Sequence, residues 1–359
     1  MQKTGSLDLP LHGGKAPRWL FERMYKLSRN ICEIILIEFG RSYLLERLSS
    51  PDWFQSFGCV LGFDWHSSGL TTTVCAALKK AFNDLGDSGM YVCGGKGATS
   101  RRTPQEIQNI AERLGRDPDK LIYASKLAAK VDNNALQDGF DLYHHSFIFT
   151  DEFEWGVVQQ GMSQVGHWAR RYHWFSKNFT SFIDTPHQGI VSEKSFLTLN
   201  MVDHQKNQLR DMVRQLASRR PEENFNDLSH LKEEIKRFPS RHQVLLKDVN
   251  PKYVYTIFLR TYERQPQDFE NLLSLKNVGK KTIRALALIS DLIYGQPLSF
   301  RDPARFSFAH GGKDGYPYRI QLADYNKSIE VLGKLIAKSK IDHTDKVKSL
   351  RRLHALYMK

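Results

Sequence analysis

Cysteine is scarce in this chain, with four among 359 residues, at Cys32, Cys59, Cys75 and Cys93. No two form a C-x-x-C pair and each lies in an apolar stretch. A disulfide framework and a zinc cluster are therefore disfavoured, and buried thiols in a reducing compartment are expected. Long apolar runs are missing as well. None reaches the ~18 residues of a membrane-spanning helix, so no membrane span is expected. Lys3, Asp8 and His12 interrupt the N-terminus where a secretory signal would be apolar. There is no internal repeat and no low-complexity tract. These absences together place the expected protein in the cytoplasm.

Acidic residues are in deficit. Asp and Glu number 39 against 52 Lys and Arg, a net charge of +13, and the pI is near 9.4. The hydrophobic share of 41% and charged share of 25% are ordinary globular values, which excludes wholesale disorder. The surplus is unevenly placed. Residues 241–359 hold 22 Lys and Arg against 11 Asp and Glu, so they carry 11 of the 13 net charges. A charge serving only solubility would be spread more evenly. The bias points to a polyanionic partner, DNA above all, and implies nucleoid association.

The expected fold is an α+β or α/β N-terminal domain followed by a mostly α-helical one. The boundaries fall at 1–199, a charged helical connector at 200–239, and a basic helical domain at 240–359. Helical spacing covers Arg18 to about Leu48, through Trp19, Leu20, Met24, Leu27 and Ile31. A short apolar strand is expected at Gly58–Asp64, a helix at 69–85, and a second strand at Met90–Cys93. Thr103, Pro104 and Glu106 carry the signature of a capping box opening a helix. Residues 123–140 are small, polar and mixed, without a clear element. The runs His144–Phe149 and Trp155–Gln160 predict a hairpin.

The sharpest local motif runs Leu272-Leu273-Ser274-Leu275-Lys276-Asn277-Val278-Gly279-Lys280-Lys281-Thr282-Ile283-Arg284. It resembles a helix-hairpin-helix. Gly279 lets a phosphate approach the backbone. The amides at 279–282 would open a helix N-terminus that attracts an anion, with Lys280, Lys281, Thr282 and Arg284 around it. The family turn usually begins with Gly. Here Asn277 stands in that place, and Asn tolerates the left-handed region. Some helix-hairpin-helix proteins are DNA glycosylases that form a Schiff base through a lysine. That resemblance would give Lys281 the nucleophile's part and Asp302, beyond Gly295-Gln296-Pro297, the assisting carboxylate. A phosphate contact and a helix cap are the plainer readings of the same two residues.

Further candidates lie in the N-terminal half. Asp64 and His66 would share one face at the end of the expected strand. Asp138, Asp141, His144 and His145 precede the hairpin, and Glu154 follows its turn. Clustered carboxylates suit a nuclease because each divalent ion bridges a phosphate oxygen and a reacting oxygen. Asp64, Asp138 and Glu154 are the candidate ligands of Mg²⁺ or Mn²⁺, and Asp141, His66 and His144 are candidate catalytic neighbours. The lysine expected after Glu154 in a restriction-type core is absent. Lys96, Arg101 and Arg102 sit in a Gly-rich loop that lacks the P-loop ending, and read as a phosphate clamp on DNA or as a flexible surface loop. Arg170 and Arg171 stand among aromatics, a pattern that holds nucleic acid or simply fills a core.

Longer stretches carry a broader resemblance. Leu11-His12-Gly13-Gly14-Lys15-Ala16-Pro17-Arg18-Trp19-Leu20 is one, and residues 58–69 and 94–97 are others. Lys130-Val131-Asp132-Asn133, Ala135-Leu136-Gln137-Asp138-Gly139 and Tyr143-His144-His145 follow. Residues 155–162, 169–174 and 308–315 complete the pattern. Together they resemble the domain of unknown function 763 family. The resemblance implies a prokaryotic cytoplasmic protein and no mechanism. Function therefore rests on the residues. The leading expectation is a DNA-processing or repair protein, a metal-dependent nuclease with a helix-hairpin-helix clamp. The alternatives are a DNA glycosylase or lyase using Lys281 and Asp302, and a non-enzymatic DNA-binding adaptor.

Overall fold

A computed structural model describes residues 18–62, 69–163, 168–192 and 196–304, with parts of 330–351. Its centre is an antiparallel sheet of five strands in the order β1-β3-β4-β5-β6. These are β1 (Met90–Lys96), β3 (Phe140–Thr150), β4 (Trp155–Ser163), β5 (Ala169–Phe175) and β6 (Gly189–Ser192). A two-residue strand β2 (Leu136–Gln137) pairs separately with β7 (Leu199–Asn200). The sheet has no parallel pair among the described strands, so the fold is α+β rather than α/β.

The sheet is buried on both faces, and strand alternation assigns each side chain to one layer. Val92, Ile148, Val158 and Phe175 pack into the first layer. That layer holds α1 (Arg18–Ser49), α2 (Pro51–Leu61) and α3 (Gly69–Asp84), joined by Leu332, Leu335 and Ile336. Cys93, Phe147, Phe149, Val157 and Trp174 face the second layer. It contains α4 (Thr103–Arg113), α5 (Asp119–Lys130), α6 (Asn207–Ser218), α7 (Pro221–Glu233), α8 (Ser240–Lys247), α9 (Pro251–Arg264), α10 (Phe269–Ser274) and α11 (Lys280–Leu292). One continuous apolar core joins that face to Leu209, Val213, Leu228, Phe258, Leu272 and Leu286.

The expected hairpin forms in register, with Phe149 opposite Trp155 and Thr150 bonded to Glu154. The helices expected at 18–48 and 69–85 and the strand at 90–93 are present. Other expectations need correction. Gly58–Asp64 was expected as a strand, yet Gly58–Leu61 completes helix α2. That helix starts on Pro51 and is buried on nearly every side, so its apolar run lacks the 3.6-residue period that marks a half-exposed helix. The capping box at Thr103 does not form. Thr103 donates to the Ser100 carbonyl, and Glu106 accepts from the Gly94 amide and Lys79 Nζ instead. Residues 119–130 are helix α5, followed by a π-helical turn at Val131–Ala135.

Candidate functional site

Three neighbouring strands each carry a consecutive polar pair: His144-His145 on β3, Gln159-Gln160 on β4 and Arg170-Arg171 on β5. Consecutive residues point to opposite faces, so each pair sends one member to each layer. The register then assembles two rows. Lys96, His144, Gln160 and Arg171 stand opposite one another across four strands on the α1–α3 face. Gly95, His145, Gln159 and Tyr172 form the row behind them.

On the second face a carboxylate, Asp132, organises the polar groups. Asp132 is inaccessible, held inward by the π-helical turn. It accepts from Trp174 Nε1 at 2.9 Å, Gln159 Nε2 at 2.5 Å and His187. Gln159 thereby turns its Oε1 towards His145 Nδ1, at 2.9 Å. His145 Nε2 then accepts from the Ser125 hydroxyl, also at 2.9 Å. Burial keeps the His145 pKa below its ordinary value. Ser125 is 2% exposed and His145 6%. The relay ties α5 and the π-helical turn to the sheet and offers no surface to a substrate.

Beside it, Arg170 is caught between two carboxylates. It donates to Asp138 Oδ2 at 2.9 Å and to both oxygens of Asp302, at 3.0 and 2.8 Å. Tyr172 also donates to Asp138, at 2.7 Å. Burial pushes the Asp138 carboxyl up to about 6, against the pull of Arg170 and Tyr172. Burial lowers the Arg170 pKa, but Asp138 and Asp302 outweigh it and hold it above its usual value.

The first face is different. Arg171 is 6% exposed, and its partners among the described residues are all neutral. Nε donates to His173 Nε2 at 2.8 Å and Nη2 to Gln55 Oε1 at 3.1 Å. Contacts to Thr71 Oγ1 and the Pro51 carbonyl are long, both 3.5 Å. Its guanidinium lies over the Phe54 ring. Burial drives its pKa down to about 10. Asp52, exposed at the start of α2, exerts a weak field but does not pair with it. His144 shares Nε2 with Ser146 at 3.0 Å, while its buried Nδ1 has no partner. Burial, with smaller contributions from His145 and Lys96, pushes His144 down to about 3. Burial and Arg171 hold His173 well below its ordinary range.

The α10–α11 segment lies in the second layer, against α5 and β2. Asn277 takes φ of +69° and Gly279 is the N-cap of α11, with no side chain capping that end. Lys130 of α5 donates to the Leu273, Ser274 and Leu275 carbonyls at the C-terminus of α10. Burial lowers its pKa to about 8. Lys280 pairs with Asp141. Arg284 reaches Gln137 at 2.8 Å and Asp248 at 3.2 Å, and Gln137 also donates to the Lys280 carbonyl. Thr282 is buried, while Lys276, Asn277 and Lys281 are exposed.

The remaining sequence candidates scatter. Asp64 and His66 lie outside the described residues. Glu154 pairs with Lys177 at the hairpin turn. It stands eight residues along from Met162, the partner of Asp141. At ~3.3 Å per residue that is roughly 26 Å, so Glu154 does not meet Asp138 or Asp141. Among the described residues no three His, Cys, Asp or Glu side chains are grouped to hold a metal ion. Lys96, Arg101 and Arg102 lie together at the end of β1 and the 3-10 turn Gly97–Arg102, all exposed. Sequence reasoning missed Asp132, Gln159, Lys130, Gln137, Gln55 and Thr71. The doubled residues at 144–145, 159–160 and 170–171 were the available signal, since adjacent polar pairs in strands address both faces.

None of the described helices is long and apolar enough to cross a membrane. No curated protein and no solved structure matches the chain. One family description, protein of unknown function DUF763, matches residues 5–320. A match over most of the length is decisive, and the chain belongs to the DUF763 family.

Proposed function

We propose that this protein binds DNA through its sugar–phosphate backbone, using α10, the turn at 275–279 and α11 as a helix-hairpin-helix. The observation that carries the reading is the turn. Asn277 sits at positive φ where Gly is usual, Gly279 opens α11, and no side chain caps that helix end. Exposed Lys276 and Lys281 flank it, within the third of the chain that carries the charge surplus. Helix amides and mobile cations together suit phosphate oxygens and read no sequence. Lys280 and Arg284 are engaged by Asp141, Gln137 and Asp248. Their role in this reading is to fix the hairpin, which leaves the grip to Lys276, Asn277, Lys281 and the α11 amides.

No observation favours adding a reaction to this reading. Lys281 is exposed and Asp302 is held by Arg170, so described contacts do not prepare them for Schiff-base chemistry. The described carboxylates do not gather for a divalent ion. Fluorescence anisotropy with labelled duplex and single-stranded oligonucleotides tests the proposal. Binding should weaken steeply as salt rises, and Lys281→Ala should lower the salt slope by about one. A protein that ignores both oligonucleotides at low ionic strength overturns it.

A further inference from the structure

We propose that the α1–α3 face of the sheet holds a site for a phosphate-type oxyanion, built on the row Lys96, His144, Gln160 and Arg171. This inference is independent of the hairpin and uses none of its residues. It begins from a charge imbalance. A buried guanidinium normally keeps a carboxylate partner, because desolvating an ion costs several kcal/mol even after relaxation. Arg170 obeys that rule twice over, with Asp138 and Asp302. Among the described residues Arg171, one residue later and on the opposite face, has no Asp or Glu paired with it and contacts only neutral groups.

Those neutral contacts also leave donor capacity. Two of the four are at 3.5 Å, the outer limit of a hydrogen bond. A guanidinium presents its N–H groups in a planar fork that fits an oxyanion in two-point contact. Two positions along the row, His144 has a buried Nδ1 without a partner. In the tautomer whose Nε2 accepts from the Ser146 hydroxyl, Nδ1 carries the proton and offers a second donor to the anion. At the end of the row Lys96 is exposed, its ammonium over the Tyr143 ring. Arg101 and Arg102 follow in the adjoining turn. Every charged member of the row is cationic, and its solvent end is cationic too. That gradient draws an anion from Lys96 towards Arg171.

The test is a thermal-unfolding titration of the full chain with inorganic phosphate at constant ionic strength, with chloride as control. Phosphate should raise the midpoint saturably, and chloride should not. Lys96→Ala, at an exposed position that the fold does not need, should raise the half-saturating phosphate concentration several-fold. Arg171→Met should abolish the shift. Should that variant fail to fold, Lys96→Ala and His144→Gln remain as readouts. A midpoint indifferent to phosphate overturns the site, as does a shift that Lys96→Ala and His144→Gln leave unchanged. Competition separates the sources. Displacement by a nucleoside monophosphate supports a small phosphorylated ligand. Displacement only by a 5′-phosphorylated oligonucleotide, and not its 5′-hydroxyl form, supports a nucleic-acid end. Lys281→Ala should leave the phosphate shift intact whatever it does to DNA binding.

Discussion

Arg170 and Arg171 are neighbours on one strand and almost equally buried, yet their surroundings are electrostatic opposites. The first lies between Asp138 and Asp302 on the face that packs against α4–α11. The second lies among Gln55, Thr71 and His173 under α2 and α3. What separates them is the pleat alone, which sends consecutive side chains to different layers. Burial therefore says little about the role of a charged residue here. The signs on the facing layer decide whether it is a neutralised strut or an unsatisfied charge.

The strongest way to break the comparison is Arg170→Met. It strands Asp138 and Asp302, and removing one partner of a buried ion network should cost about 3–5 kcal/mol in urea unfolding. Part of that loss should return near pH 5, as Asp138, already pushed up to about 6, takes a proton. A loss independent of pH would mean the carboxylate is not the stranded group.

Acidification separates the faces next. His144, His145 and His173 are all held below their ordinary value by burial. The unfolded chain therefore binds more protons below pH 6.5. Stability should be full above that pH and fall as pH drops through the window, which for His144 extends down to about 3. At pH 5 the loss is roughly 2 kcal/mol for each histidine that stays neutral in the fold. Asp138 opposes this between about 6 and 4, because its raised pKa makes the folded state bind the extra proton. His144→Gln should flatten the dependence measurably, and an unchanged slope would show that His144 titrates freely.

Arg171→Met is the direct counterpart of the first variant. Among the described residues no carboxylate is left behind, so the cost should be about 1–2 kcal/mol, reflecting lost bonds to Gln55 and His173. Equal costs for the two substitutions would erase the contrast between the faces. Lys281→Ala should have the smallest effect on stability, within about 0.5 kcal/mol, since the side chain is exposed. Its consequence belongs in the DNA-binding salt slope.

Several elements were legible because their signals are local. Trp19 to Ile31 repeat at helical spacing, and the β-like runs His144–Phe149 and Trp155–Gln160 flank a short turn. The turn at Asn277 and Gly279 was readable for the same reason, being a matter of φ preference. Gly58–Leu61 misled because a helix buried on nearly every side shows no period. The Thr103 box misled because Glu106 found better partners in Lys79 and the Gly94 amide, both distant in sequence. The grouping of Glu154 with Asp138 and Asp141 rested on spacing in the chain. Glu154 follows Asp138 closely in sequence, but the β3–β4 hairpin carries it to the far end of the strand pair.

From its own order of residues the chain determined several of its helices and strands, its cationic C-terminal third and its family, because propensity, charge and motif are properties of short segments. Only the tertiary structure decided which polar residues meet. Strand register aligned Lys96, His144, Gln160 and Arg171 in one row. The packing of two helical layers set the charges that face each side of the sheet. Electrostatics acts through space, and the distances that govern it exist only once the sheet has formed.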